Sequence, residues 1–487
     1  MELIKNGILI CLENHCMLIK KIVNHSFVYA VLPKLPILLG FLILPFITPF
    51  LSDIDYGIYG IILSITTGIT VIRTLGLDVV LMNSYIHHGN GDRYKIVWNE
   101  IQGFIFIWSL TLGVLVAMLL YYILPEEAET NKHSIILLTA VPIMLYSSLQ
   151  VISLKYYQLA ERPTEIGLRS LVFGILTVFL NYYLIASLKI GYMGWVWSFF
   201  ITETLTFTSY IFPIWIREGL FPNFLFRREK IREHLKVGLP LVPHTSAFFM
   251  LDFSDRLIML RLGVGTANIG LYDFAYKFAG YARVFSESIH QASTPLLLKS
   301  FKDNQKSTIL RDIVFLENFV VSFVSFSIAI WLKEIFSIMV QNNELSATYD
   351  MGIILTMAYV YKPMYTAMAT VFYYYEETKE FWKTSFAAGL LNIVLNIIFI
   401  PIFGFKAAVV TTFLSFFYIG YGGFYVTKFK KLYSPDFKPR LWMVYTLLLL
   451  CVSFIFKDAA FFTKLALNFV ALVFTIVQVR PLIKLLK

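Results

Sequence analysis

The feature that most constrains this chain is a succession of apolar stretches, each about 20 residues long, running from one end to the other. As a helix, a stretch of that length crosses about 30 Å of hydrocarbon. A chain that repeats it throughout must satisfy its backbone inside lipid, which helices do within a single segment. Composition agrees: of 487 residues, 58% are hydrophobic and 15% charged, against about 25% charged in a soluble domain. The mean hydropathy is +0.70. Fourteen segments are predicted, at 28–51, 57–77, 101–124, 134–154, 166–188, 191–216, 237–260, 270–298, 312–332, 351–372, 384–403, 405–427, 441–456 and 465–480. Turn-forming or polar connections such as "HHGNGDR", "PEEAETNKH" and "KDNQKST" separate them.

Residues 1–27 lack a continuous apolar core followed by a small-residue cleavage site, so no cleaved signal is expected. Met17 opens "MLIKKIVNHS", a start in its own right, which makes residues 1–16 an extension. Cys11, Cys16 and Cys451 suggest no disulfide framework and match no metal-ligand spacing, and no cofactor or metal is expected. With the N-terminus inside, about 27 of the 41 Lys and Arg lie in cytoplasmic connections, 7 outside and 7 within segments. The opposite orientation would break the positive-inside rule. "REGLFPNFLFRREKIREHLK" (217–236) and "KFKKLYSPDFKPR" (428–440) supply much of the bias. The net charge of +10 therefore reports topology and not a nucleic-acid partner, and both termini are placed in the cytoplasm.

The chain also contains itself twice. "LPKLP" (32–36) opens segment 1 and "LPLVP" (239–243) opens segment 7. "YGIYGI" (56–61) matches "IGLYDF" (269–274) at an offset of 213, Gly174 and Asn181 match Gly389 and Asn396 at 215, and Gly191 matches Gly404 at 213. Six helices separate the copies, so both halves have the same orientation, and halves of this kind hold substrate between them and rock. The predicted organisation is an all-α polytopic membrane protein. It has an N-terminal extension (1–27), a six-helix bundle (28–216), a basic cytoplasmic linker (217–236), a second six-helix bundle (237–427) and two further helices (428–487).

Ionisable groups inside the segments cost about 2.5–3.5 kcal/mol each at mid-membrane, so they face partners or water. The basic ones are Lys34, Arg73, Arg169, Arg256, Lys277, Arg283 and Lys362; the acidic ones are Glu203, Asp252, Asp255, Asp273, Glu287 and Glu317. At about 100° per residue, His244, Asp252, Asp255 and Arg256 share an arc of about 120°, and Asp273, Lys277, Arg283, Glu287 and His290 one of about 140°. Segments 7 and 8 therefore read as amphipathic within the membrane, around a polar interior. For any single charge the competing reading is a structural pair, such as Asp273 with Lys277 at i,i+4. His244 reads as a satisfied polar residue, and His87 and His88 as solvated. Pro33 and Pro36 flank Lys34 and are expected to break segment 1 there.

"LPKLPILLGFLILPFITPFLSDIDYGIYGI" with "LGLD" (75–78), and "GLPLVPHTSAFFMLDFSDRLIMLRLGVGTANIGLYDFAYKFAG" (238–280) with its SDR and G-x-Y-x-x-A-Y-K elements, resemble Wzx-type O-antigen and polysaccharide flippases. The resemblance spans segments 1–12. It implies a fold like the multidrug-and-toxin extruders, two six-helix bundles around a central cavity. The implied substrate is an oligosaccharide on undecaprenyl diphosphate, moved from the inner to the outer leaflet of the bacterial inner membrane. The implied partners, besides membrane lipids, are a polysaccharide polymerase and a chain-length regulator. Family members are described as having a cationic lumen, whereas seven basic and six acidic groups here make a mixed interior.

A diphosphate calls for paired positive charge, which guanidinium groups supply bidentately. The substrate-binding candidates are Arg256, Lys277, Arg283, Lys34, Arg73, Arg169 and Lys362, with Tyr272 and Tyr276 placed to stack on sugars. The ion-coupling candidates are Asp255 and Glu287, then Asp252, Asp273 and Glu203. The rivals are a cation-coupled drug exporter, which favours an anionic cavity, and a lipid II exporter of the same fold. A membrane glycosyltransferase would carry a larger external loop than any here, and an ATP-driven pump a G-x-x-x-x-G-K-[ST] loop, which the chain lacks. The expectation is a transporter and not an enzyme.

Overall fold

The computed structural model describes residues 32–88, 93–303, 308–375, 377–433 and 435–486, so the extension 1–16 lies outside the described residues. Those residues form helices and their connections only. The first half comprises α1 (Leu32–Leu42 and Leu44–Phe50), α2 (Asp53–Val71), α3 (Asp78–His88), α4 (Arg93–Ile123), α5 (Glu126–Leu145 and Ser147–Leu159), α6 (Pro163–Ser187) and α7 (Met193–Arg217). A basic surface helix, α8 (Arg228–Gly238), leads to α9 (Val242–Asp252), α10 (Ser254–Arg261), α11 (Thr266–Asp303), α12 (Ile309–Ile330) and the short α13 (Leu332–Met339). Then come α14 (Tyr349–Ala358), α15 (Lys362–Tyr374), α16 (Thr378–Phe403), α17 (Ala407–Tyr421), α18 (Pro439–Ile455) and α19 (Phe461–Leu486).

This is a multi-pass membrane protein, and the described residues of the expected segments are mostly helical. Among the described residues eight helices are long and apolar enough to cross a membrane, or ten if two bent pairs are single spans. The remaining segments are interrupted or polar, so length and apolarity alone do not number the crossings. Large apolar side chains point outward, such as Phe179 on α6, Phe403 on α16 and Phe469 on α19, where lipid and not water is the solvent.

Three local expectations are corrected. The 44° bend of α1 falls at Ile43, just ahead of Leu44-Pro45, and not at Lys34. Pro33 and Pro36 sit at helix starts, where a missing amide is harmless, whereas Pro45 withdraws a donor from the middle of the span. Segment 2 ends at Val71: the chain turns through Leu75 (φ 49°) and Gly76 (φ 73°), so Arg73 lies in a turn and not in the span. A Cβ on Gly76 would lie 2.1 Å from the Gly238 carbonyl oxygen, and only glycine fits both that backbone and that approach. Segment 7, expected to be continuous, breaks at Phe253 between α9 and α10.

Helices α3–α7 pack mainly on one another, as do α12–α17, and the two halves meet through α2, which packs mainly against α11 and also against α9 and α10. The crossing of α2 and α11 joins the repeats through glycine. A Cβ on Gly57 would lie 2.1 Å from the Thr266 carbonyl oxygen, and one on Gly270 would lie 1.7 Å from that of Asp53. Gly57 and Gly270 are separated by 213 positions, and so are Asp53 and Thr266. Each glycine thus faces the carbonyl four residues before its counterpart, the relation a two-fold axis between them requires. At the same end, Glu127 accepts from Thr266 Oγ1 at 3.1 Å and Asn342 donates to the Leu51 carbonyl at 3.2 Å. Gly174 receives Pro36 of α1, and its counterpart Gly389 receives Met250 of α9. α19 is pinned by Lys464, fully buried, which grips both Glu334 oxygens at 2.7 and 2.8 Å.

Candidate functional site

The charged stretch Asp252–Arg256 sits at the break between α9 and α10. Ser254 Oγ donates to the Met250 carbonyl at 2.6 Å, and the Arg256 guanidinium donates to the Asp252 carbonyl, which belongs to the interrupted ladder. Polar side chains inserted into the ladder bend a helix. Arg256 is 2% exposed. It donates from Nε to Asp273 Oδ1 at 2.9 Å and lies over the Tyr276 and Tyr272 rings, 4.3 and 5.0 Å from their centroids. Asp252 accepts from the Tyr276 and Tyr359 hydroxyls, both at 2.7 Å. Asp255 is fully buried and accepts from Asn396 Nδ2 at 2.6 Å, from Thr412 Oγ1 at 3.0 Å and from the Tyr272 hydroxyl. Turned so that its nitrogen faces this carboxylate, the Asn392 amide adds a donor at 2.8 Å.

These contacts assign the cluster a structural task. A buried charge is tolerated when its partners are complete, and here hydroxyls, amides and two guanidiniums complete them across α9, α10, α11, α16, α17 and the turn between α14 and α15. The sector expected to line a polar interior is enclosed by protein side chains. Arg256 is therefore not presented to a ligand, and Tyr272 and Tyr276, whose rings stack on it and whose hydroxyls are engaged, are not open to sugars. Asp273 pairs with Arg256 rather than with Lys277.

The other polar face of α11 looks into a cavity of about 420 Å³ between α1, α6 and α11. Lys277 and Arg283 line it together with Asn181, Trp195 and Tyr281, and no Asp or Glu does. The Lys277 ammonium lies 5.1 Å from the Trp195 ring centroid and 5.4 Å from that of Tyr56. Arg283 reaches Asp252 at 3.6 Å, leaving its Nε buried without a hydrogen bond. Asn181 Oδ1 is also unbonded. The cavity thus offers two cations and an amide in a lining without carboxylates, with Asp252 behind Arg283. A larger recess, about 690 Å³, lies between Phe424 and Leu441 and contains none of the expected site residues.

The remaining expected residues are dispersed. Arg169 pairs with Glu165 at 2.6 Å and lies over the Tyr210 ring. Arg73 is near Glu203 and Asp78, and Glu203 accepts from Gln150. Lys362 and Glu287 pair at 3.8 Å, beside Phe248. Lys34 is half-buried at the start of α1. His244 is engaged as expected, with Ser385 Oγ at 3.1 Å and the Tyr373 hydroxyl at 3.3 Å. Sequence reasoning missed Asn392 and Thr412, which no motif marks, and treated Asn181 and Asn396 only as repeat markers. Among the described residues no three His, Cys, Asp or Glu converge as a metal site.

The family described as polysaccharide biosynthesis protein matches residues 22–301, more than half of the chain. The chain belongs to this family. No curated protein matches it. Solved structures share its fold at low identity. The lipid II flippase MurJ, in an inward closed conformation, superposes with a TM-score of 0.68 at 15% identity, covering 91% of this chain and all of that one. An inward-facing multidrug resistance MATE transporter of the MOP superfamily gives 0.59 at 13%, covering 87% and 95%. The MATE transporter VcmN of Vibrio cholerae gives 0.55 at 12%, covering 86% and 98%. This polysaccharide biosynthesis protein therefore has the fold of flippases and exporters, with transporters and not enzymes as its structural neighbours.

Proposed function

We propose that this polysaccharide biosynthesis protein flips an oligosaccharide linked to polyprenyl diphosphate, with the diphosphate held at Lys277 and Arg283. The observation that carries the reading is the cavity lined by those two cations and by no carboxylate. A dianionic head group in low dielectric needs close positive charge, and the planar guanidinium adds bidentate geometry. A cationic drug would meet repulsion there, which disfavours the drug-exporter alternative. Movement is from the cytoplasmic to the outer leaflet of the inner membrane, with both termini cytoplasmic, following the charge bias of the connections. An inside-negative potential favours this direction for negative charge, by about 2.3 kcal/mol per charge per 100 mV. Lipid II carries the same diphosphate; family membership favours a polysaccharide repeat unit.

The test is to delete the gene and analyse surface polymer and lipid-linked intermediates. Loss of one polymer, with its repeat unit accumulating on the inner leaflet, supports the reading. Accumulation of a peptidoglycan precursor would assign the lipid II role instead. Complementation with Lys277→Gln or Arg283→Gln should fail at normal membrane levels of protein, and Arg283→Lys should restore only part of the polymer. Normal polymer with both Gln variants refutes the head-group site.

A further inference from the structure

Coupling to a proton gradient needs a group that takes up and releases a proton during the cycle, and the carboxylates of the bundle differ sharply in how far their demand is met. Asp255 has three or four donors, Asp252 two tyrosines and Arg283, Asp273 has Arg256, Glu203 has Gln150 and Glu287 has Lys362. Glu317 on α12 has no such set. Its side chain is 1% exposed and both carboxylate oxygens lack a hydrogen bond. Beside it in sequence, Asn318 is fully buried with neither end of its amide bonded. A buried ionised carboxylate without donors costs several kcal/mol, and an orphan of this kind requires an explanation.

One titratable nitrogen faces it. His290 Nδ1 lies 3.8 Å from Glu317 Oε2, and the imidazole is 25% exposed, so a solvent-accessible titratable group adjoins the buried acid. Arg283, Ser286 and His290 fall at i, i+3 and i+7 on one face of α11. That face runs from the cavity to the pair, and the Ser286 hydroxyl on it is buried and unbonded. Among the described residues, the charged or titratable groups on the adjoining turns include Glu287 on α11, paired with Lys362 of α15, and Tyr359 before α15, bonded to Asp252. Tyr365 also lies on α15. α18 and α19 cover the opposite face of α12, where Phe315 and Phe319 meet Trp442.

We propose that Glu317, with His290 in front of it, is a proton-binding site that couples this protein to the proton gradient. The inference rests on the flippase reading for its purpose but not for its existence. The imidazole accepts a proton at Nε2 and passes the one on Nδ1 to a Glu317 oxygen. The ring ends neutral in the other tautomer, the carboxyl ends as the neutral acid, and one proton has been taken up. Protonation removes an uncompensated buried charge, whereas at Asp255 it would break a complete hydrogen-bond set. Histidine ordinarily changes charge between about pH 5 and 8, the range in which such a relay exchanges with the cytoplasm.

The experiment is a differential proton titration of the purified full-length protein, wild type against Glu317→Gln, between about pH 5 and 8, in choline and in sodium salts. It needs no substrate, so it stands even if the transported molecule is misassigned. The wild type should exchange one more proton per molecule than Glu317→Gln, equally in both salts. His290→Gln should retain that proton but move its midpoint by about one pH unit, a tenfold change in proton activity. In proteoliposomes, dependence on an imposed pH gradient should be lost in Glu317→Gln and kept in Asp255→Asn. Superimposable titration curves overturn the proposal, as does a difference that sodium abolishes at constant pH, which would make the site a sodium site. If Glu317→Gln does not fold, an unshifted titration in His290→Gln overturns it equally.

Discussion

Replacing Gly270 by alanine tests how the two halves close. The added Cβ would lie 1.7 Å from the Asp53 carbonyl oxygen and 2.7 Å from the Gly57 nitrogen, where ordinary contact begins near 3.4 Å. Both neighbours are backbone and no rotamer relieves them, so α2 and α11 must separate by roughly 1.7 Å at the crossing. Overpacking of this kind costs about 1–3 kcal/mol, and the cost falls only on the state in which the helices touch. The equilibrium should therefore move toward the state open at this end by about 5–150-fold. With Cys11, Cys16 and Cys451 replaced by serine, a cysteine at Val284 reports access to the cavity it lines. Its reaction with an impermeant thiol reagent added outside intact cells should accelerate by that factor. Gly57→Ala should act in the same direction, because the two-fold relation gives it the same kind of clash with the Thr266 carbonyl. Gly265→Ala, with nothing within 4 Å of its Cβ, should change nothing. An unchanged labelling rate in a well-folded Gly270→Ala protein would refute the crossing as the outer seal. Faster labelling from the inside only would refute the orientation.

Arg256→Gln should act on folding rather than on recognition. Removing one partner of a buried pair costs about 3–5 kcal/mol, so the protein should be scarce in the membrane, and stable Arg256→Gln protein that binds no substrate would contradict this. Lys464→Met strands Glu334 where α19 is pinned and should lower the thermal midpoint in detergent, while substitutions at neighbouring half-buried Lys457 should lower it less. Asp458, exposed outside the spans, is held below the usual carboxylate range by hydrogen bonds from Lys333 and then Tyr349. Its contribution is present above the ordinary carboxylate pKa and is lost as pH falls through the depressed one, so Asp458→Asn and wild type should differ at neutral pH and converge in acid. A cysteine in 217–236 should resist an impermeant reagent in intact cells and one in 125–130 should react; the reverse pattern inverts the topology.

Class, helical content and internal repeat were legible in the sequence, because lipid enforces them locally. A backbone in hydrocarbon must close its hydrogen bonds within each segment, so apolar runs become helices whatever their neighbours, as at 101–124 and 384–403. The repeat was readable at Gly57 and Gly270 because close backbone contact admits no side chain. Which charges face a ligand was not readable. Arg256 and Lys277 stand on polar arcs of equal promise, yet one is enclosed by Asp273 and two tyrosines while the other opens onto a cavity. The carboxylates beside Arg256 are in turn satisfied by Asn392, Asn396, Thr412 and Tyr359, up to 157 positions away in the sequence. Periodicity fixes the side of a helix on which a charge stands. Whether protein, water or substrate fills the space opposite is decided by helices that arrive from elsewhere in the chain. The burial of Glu317 without a donor therefore became visible only once α11 and α12 were packed together.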